Sequence, residues 1–266
     1  METTEIIRTG AMLVAFAVAV SRGRKIWMLA DAGAVLLFGV AWIAVPGTLL
    51  GQMTTGPLDG HHLVMGREFG ALLIGTVAIF YKIRDSGDIT VSNVLLYSRV
   101  MGIAMQLMAV SYTQLYYRDL EKGGWTSEQA WFGLFGGGVW LLGNLYHSAR
   151  NDQFGCYGQR NDRLSFVLRL DGFLCLLGGL IDFAFPDMAV SMMVKLKLDG
   201  IHLHMVRCVG SVVFMTGLVS TWAPVFLKDE DKRNVLFGRI VQDVVLLAVV
   251  LPYMYTYGIF SIAFLA

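Results

Sequence analysis

The chain has 266 residues, 56% of them hydrophobic and 15% charged, with 30 glycines and a mean hydropathy of +0.60. That balance excludes an ordinary soluble domain and places the chain among integral membrane proteins. A formal charge of +1 offers no basic surface for nucleic acid, and three scattered cysteines, Cys156, Cys175 and Cys208, supply neither a C-x-x-C metal pair nor a disulfide framework.

Apolar runs long enough for a hydrocarbon core of roughly 30 Å, which takes about 20 helical residues, recur along the chain. In chain order they predict spans near 5–21, 26–46, 61–81, 93–114, 128–147, 164–185, 201–222 and 234–257. The runs are continuous rather than alternating, so the spans are helices and not barrel strands. The first run lacks a basic n-region and a small-residue cleavage site, and is not read as a signal peptide. Between spans two and three, and again between six and seven, residues 46–60 and 186–200 open on proline and close on Asp-Gly. Each reads as an interfacial connection, the second Met-rich and suited to lying flat among headgroups, with Asp59 and Asp199 set to cap the helices that follow.

Those Asp-Gly endings belong to a repeated phrase. LDGHHLVMGREFG at 58–70 and LDGIHLHMVRCVG at 198–210 share D-G-x-H-L-x-M-x-R-x-x-G, 140 positions apart. The offset holds without a gap from Asp31/Asp171 to Thr76/Thr216, where sixteen of forty-six positions agree, and it extends to Arg99/Arg239. The expected fold is therefore all-α and polytopic, with about eight spans as two four-helix repeats, 1–120 and 121–266. An even number of spans per copy inserts both in the same orientation, related by an axis along the membrane normal. Loops after the odd-numbered spans carry most of the basic residues, including Arg22, Arg24, Lys25, Lys82 and Arg84, which makes that side cytoplasmic or matrix-facing.

Charges kept in both copies give the site candidates. Depths at 1.5 Å per residue match Asp31 with Arg99 and Asp171 with Arg239, and an unpaired charge in a bilayer costs at least a few kcal/mol, so these are expected as structural ion pairs. Asp182 is the depth-matched partner for Arg207; its counterpart beside Arg67 is Trp42, with Glu68 adjacent. Leu63, Arg67 and Gly70 share one helix face, as do Leu203, Arg207 and Gly210.

His62 and His202 are repeat equivalents, with His61 and His204 close by. Two imidazoles from different helices suit haem iron, and His with Asp59 or Asp199 suits a divalent metal; the favoured reading is helix-start histidines that face the headgroups or bond the capping turn. Asp59, His62, Arg67, Asp199, His202 and Arg207 form the candidate ligand or transport site, with no cofactor and no metal expected. Gly136, Gly137 and Gly138 read as packing glycines, and Tyr112, Tyr116, Tyr117, Tyr253, Tyr255 and Tyr257 as interfacial aromatics. No Ser-His-Asp, H-E-x-x-H or paired acidic signature appears, which counts against a hydrolase or metalloenzyme.

Gly39 to Pro46 and Gly179 to Pro186 form a G-x-(x)-A-x-P-like helix end, followed by an interfacial stretch and then R-x-x-G at Arg67 to Gly70 and Arg207 to Gly210. In this order each copy resembles the DoxX-like group of four-helix membrane proteins, and LLGGLIDFAFPDMAV is similar to part of the p53-inducible protein 11 family. The resemblance implies architecture more than activity. The expectation is a non-enzymatic multi-pass membrane protein that acts as a scaffold, assembly factor or subunit, with the bilayer and a membrane protein as partners. The alternatives are a small-solute, ion or lipid carrier with its site between the copies, and a haem-binding redox protein.

Overall fold

The computed structural model describes residues 3–150, 162–191 and 198–256. Cys156, Arg160, Lys195, Lys197 and Tyr257 lie outside them, as does part of the Met-rich stretch 186–200. Among the described residues the chain is all-α, with a single isolated bridge between Thr54 and Trp125. The helices are α1 (Thr3–Ser21), α2 (Arg24–Ala44), α3 (Pro46–Met53), α4 (Gly60–Ile83), α5 (Ile89–Tyr116), α6 (Ser127–Ala149), α7 (Arg163–Ala184), α8 (Pro186–Ser191), α9 (Gly200–Trp222) and α10 (Asp229–Thr256). Six of them, α2, α4, α5, α7, α9 and α10, are long and apolar enough to cross a membrane.

Local chemistry sets the boundaries. Gly23 turns α1 into α2 at φ 94°, a left-handed conformation that a side chain disfavours. Pro46 and Pro186 open α3 and α8, where a missing N–H costs nothing while the ring stops the preceding helix. Asp88 caps α5 by accepting from Thr90 N at 2.9 Å, and its second oxygen accepts from Leu227 N at 2.9 Å. One buried carboxylate thus ties the α4–α5 turn to the turn before α10.

The helix pairs α2/α4 and α7/α9 pack through the motif glycines. A Cβ on Gly70 would lie 2.6 Å from Gly39 O, and one on Gly210 would lie 2.7 Å from Gly179 O, so backbone touches backbone as small residues permit in membrane helix pairs. The central helices α4 and α9 also touch each other, and the helix after each crosses over: α5 packs on α9 and α10 on α4. Segments 1–120 and 121–266 therefore interlock.

Two large apolar clusters, and a small third of Ala189, Val190 and Val206, fill the interior among the described residues. One gathers Trp27, Ile79, Phe80, Leu95, Leu168 and Val235, the other Trp42, Leu50, Phe69, Trp125, Met205 and Met215. Outward stripes such as Phe166, Leu170, Phe173, Leu177 and Leu180 on α7, and Phe237, Ile240, Val244, Leu247 and Leu251 on α10, are exposed. Apolar surface this extensive is tolerable against lipid tails and not against water.

Candidate functional site

The D-G-x-H phrase builds the same helix start twice. Asp59 accepts from His61 N at 2.9 Å and His62 N at 3.0 Å, while Asp59 N donates to His62 Nδ1 at 2.9 Å. Asp199 accepts from Ile201 N at 2.9 Å and His202 N at 3.1 Å, with Asp199 N 3.4 Å from His202 Nδ1. These are capping boxes in which histidine fills the place usually taken by Glu or Gln. A cap of this kind contributes about 1 kcal/mol. It also fixes the imidazole at the third helical position.

The N-termini of α4 and α9 meet. The His62 and His202 rings lie 3.7 Å apart between centroids at an interplanar angle of 32°, and each histidine is 1% exposed. Asp199 Oδ1 lies 3.1 Å from His62 Nε2 and 2.9 Å from His202 Nδ1, so one oxygen faces both rings. Asp59 Oδ1 sits on the other side, 3.0 Å from His62 Nδ1 and 3.5 Å from His202 Nε2. Burial pushes the Asp59 carboxyl up, but the His62 N–H and the three nearby histidines outweigh it and hold the group below the usual carboxylate range. Burial acts likewise on Asp199, and the bonds from His202 and His62 bring it lower still.

The two arginines of the sequence-derived set sit deeper on their helices. Arg67 donates from Nη1 to Leu63 O at 3.3 Å on its own helix. The expected Arg207–Asp182 pair is replaced: the Arg207 guanidinium lies over the Tyr112 ring at 4.2 Å and donates to Tyr117 Oη at 3.3 Å. Two aromatic groups thus take the cation, and Asp182 stands within electrostatic range of Glu68 instead. Tyr112 and Tyr117 are therefore more than interfacial anchors.

Both depth-matched ion pairs form. Arg99 grips Asp31 with two bonds of 2.8 Å, and Trp140 Nε1 donates to the same carboxylate at 2.5 Å. Asp31 and Arg99 are 1% and 5% exposed. Asp171 meets Arg239 at 3.2 Å and accepts from Ser220 Oγ at 2.6 Å, in a more open setting. Of the remaining histidines, His204 is buried 2.7 Å from Thr113 Oγ1 and edge-on to Trp125, and His147 stacks on Trp27.

A cavity of about 460 Å³ lies among α2, α4, α5, α6 and α9. Its walls are mainly apolar and aromatic, with Phe38, Trp42, Phe69, Trp125 and Trp140 prominent, and Gln106, Gln114 and His204 supply polar groups. Sequence reasoning missed it. The signal was a stripe on α6: Ala130, Gly133, Gly136 and Gly137 all line the space because they carry almost no side chain. Gly137 does pack closely, against Leu107, whereas a Cβ on Gly133 would meet nothing within 4 Å.

A family model described as a domain of unknown function, DUF8292, matches residues 29–265. The chain belongs to the DUF8292 family. One DUF8292 unit takes in both copies of the D-G-x-H-L phrase and every residue of the site and cavity, while α1 precedes it. Neither curated proteins nor solved structures give a match.

Proposed function

We propose that this is a non-enzymatic, multi-pass membrane protein that holds a bilayer-derived apolar molecule, such as a lipid acyl chain, in the cavity walled by α6. The observation that carries the reading is the cavity itself: about 460 Å³ falls within the roughly 300–1,000 Å³ of small-molecule sites, and apolar walls with a few polar groups are their usual lining. Gln106, Gln114 and His204 suit an ester or hydroxyl at one end of such a molecule.

The topology we propose has eight spans in two parallel-oriented four-helix repeats. The meeting of the α4 and α9 N-termini through Asp59, His62, Asp199 and His202 supports it, because helices that start side by side run the same way. Support for α6 as a span comes from its two ends: Thr126, before it, bonds Met53, and His147, near its close, stacks on Trp27 at the start of α2. The DoxX-like resemblance belongs with this architecture, since its motif glycines Gly39, Gly70, Gly179 and Gly210 are the close-packing positions.

A scaffold role is the second reading, favoured by the closed junction at His62 and His202. That junction and the bonded Asp31–Arg99 pair suit a rigid body better than halves that rock apart. Haem is not carried forward, because imidazoles in face contact at 3.7 Å leave no gap for a porphyrin.

Tryptophan fluorescence tests the ligand reading, since Trp42, Trp125 and Trp140 line the space. Lipids brominated along the acyl chain should quench wild-type protein in nanodiscs more than Gly133→Phe, which fills the cavity. Equal quenching in both would count against the proposal.

A further inference from the structure

The junction of α4 and α9 carries more than two helix caps. Its hydrogen bonds assign the ring tautomers. Asp199 Oδ1 lies 3.1 Å from His62 Nε2 and 2.9 Å from His202 Nδ1; with His202 Nδ1–H donating across this shorter contact, in place of accepting from Asp199 N at 3.4 Å, the proton of each neutral ring sits on the nitrogen facing Asp199. The bare lone pairs are then His62 Nδ1 and His202 Nε2, and both face Asp59 Oδ1, at 3.0 and 3.5 Å. Three electron-pair donors converge there. Asp59 N–H satisfies His62 Nδ1, but His202 Nε2 is fully buried with no hydrogen-bond partner. A lone pair this close to a carboxylate oxygen is repelled unless a proton or a metal cation lies between them.

We infer that Asp59, His62 and His202 form a site for a divalent transition-metal ion of the zinc type, clamping the start of α4 to the start of α9. The donor set of two imidazole nitrogens and one carboxylate oxygen is that of zinc and its neighbours rather than magnesium or calcium, which take oxygen ligands. Bonds of about 2.0–2.2 Å in a tetrahedron place neighbouring donors about 3.3–3.6 Å apart, and one donor atom from each of the three residues lies within 4.8 Å of the others. Asp199 supplies the outer carboxylate that orients both rings, as carboxylate–histidine–metal sites require. Water reaches the site past Asp59, whose side chain is 45% exposed, and completes the coordination. On metal binding the Asp59 N–H gives up its bond to His62 Nδ1, while the caps at His61 N and His62 N need only move slightly.

The test uses the full chain, stripped with chelator and titrated with Co²⁺ and Zn²⁺ by calorimetry and visible absorption, with Mg²⁺ as control. The expected result is one Co²⁺ per chain, with the intense visible bands of four-coordinate cobalt, displaced by Zn²⁺ and not by Mg²⁺. Asp59→Asn keeps a helix cap and His202→Gln keeps a polar side chain; each should weaken Co²⁺ binding at least tenfold. Asp199→Asn should weaken it by about 10- to 100-fold through the rings. Wild-type protein that takes up no Co²⁺ or Zn²⁺ would overturn the proposal, as would affinity unchanged in both Asp59→Asn and His202→Gln. Neither result touches the cavity reading, which depends on α6.

Discussion

His62 reaches across to Asp199 at 3.1 Å, so the first copy of the repeated phrase bonds the helix cap of the second. Removing His62 takes away a capping partner and the cross-junction bond to Asp199, and removing His202 takes away the ring stacked on His62 and a neighbour of the same carboxylate. His62→Ala and His202→Ala should each lower stability by about 1–3 kcal/mol. The double variant should lose less than the sum, with a coupling of about 0.5–3 kcal/mol. Thermal unfolding of the four proteins in one detergent measures this, and strictly additive losses would contradict a shared junction.

The Asp31–Arg99 pair is almost completely enclosed, while Asp171–Arg239 retains 24% and 12% side-chain exposure. Asp31→Asn strands the Arg99 charge in the bundle and should cost about 3–5 kcal/mol. Asp171→Asn should cost clearly less, because Gln242, which accepts from Arg239 at 2.7 Å, shares the load. Unfolding midpoints of the two variants give the comparison; equal losses would mean that burial does not set the cost.

Gly70 and Gly210 sit against the backbone of Gly39 and Gly179. Leucine at either position must push the helix pair apart and should destabilise by at least about 1–3 kcal/mol. Gly33→Leu is the control, since a Cβ there meets nothing within 4 Å, and its effect should stay within about 0.5 kcal/mol. Detergent-resistant folded yield and unfolding temperature report both outcomes.

The proposed eight-span topology fixes which loops share a side. Asp85 and Lys228 follow α4 and α9, whereas Glu121 and Asp187 follow α5 and α7. With Cys156 replaced by serine and with Cys175 and Cys208 buried, Asp85→Cys and Lys228→Cys should label from one side of sealed vesicles. Glu121→Cys and Asp187→Cys should label from the other. If Glu121 and Asp187 proved to lie on opposite sides, α6 would not cross.

Much of this architecture was legible in the sequence because membrane burial makes a few residue types informative. A charge inside an apolar run must find a partner at its own depth, so Asp31, Arg99, Asp171 and Arg239 could be paired from position alone. Asp59 and Asp199 announced their caps by standing before glycine at a helix start. Arg207 misled for a physical reason: depth matching considers only ionic partners, and the side chain found Tyr112 and Tyr117, whose position depends on how α5 crosses onto α9. The meeting of His62 with His202 likewise depends on tertiary packing. The cavity was hidden because it is made by absent side chains on α6, and Gly136 and Gly137 look the same in sequence whether a neighbour fills the space or leaves it open.

The claim that this cavity holds an apolar molecule is tested most directly by native mass spectrometry after extraction in a mild detergent. Wild-type protein should carry one lipid-sized adduct that survives delipidation of the outer surface, and Gly133→Phe should lose it while Gly33→Phe, at a position that does not line the cavity, keeps it. A wild-type chain that emerges bare, or an adduct retained equally by Gly133→Phe, would contradict the account.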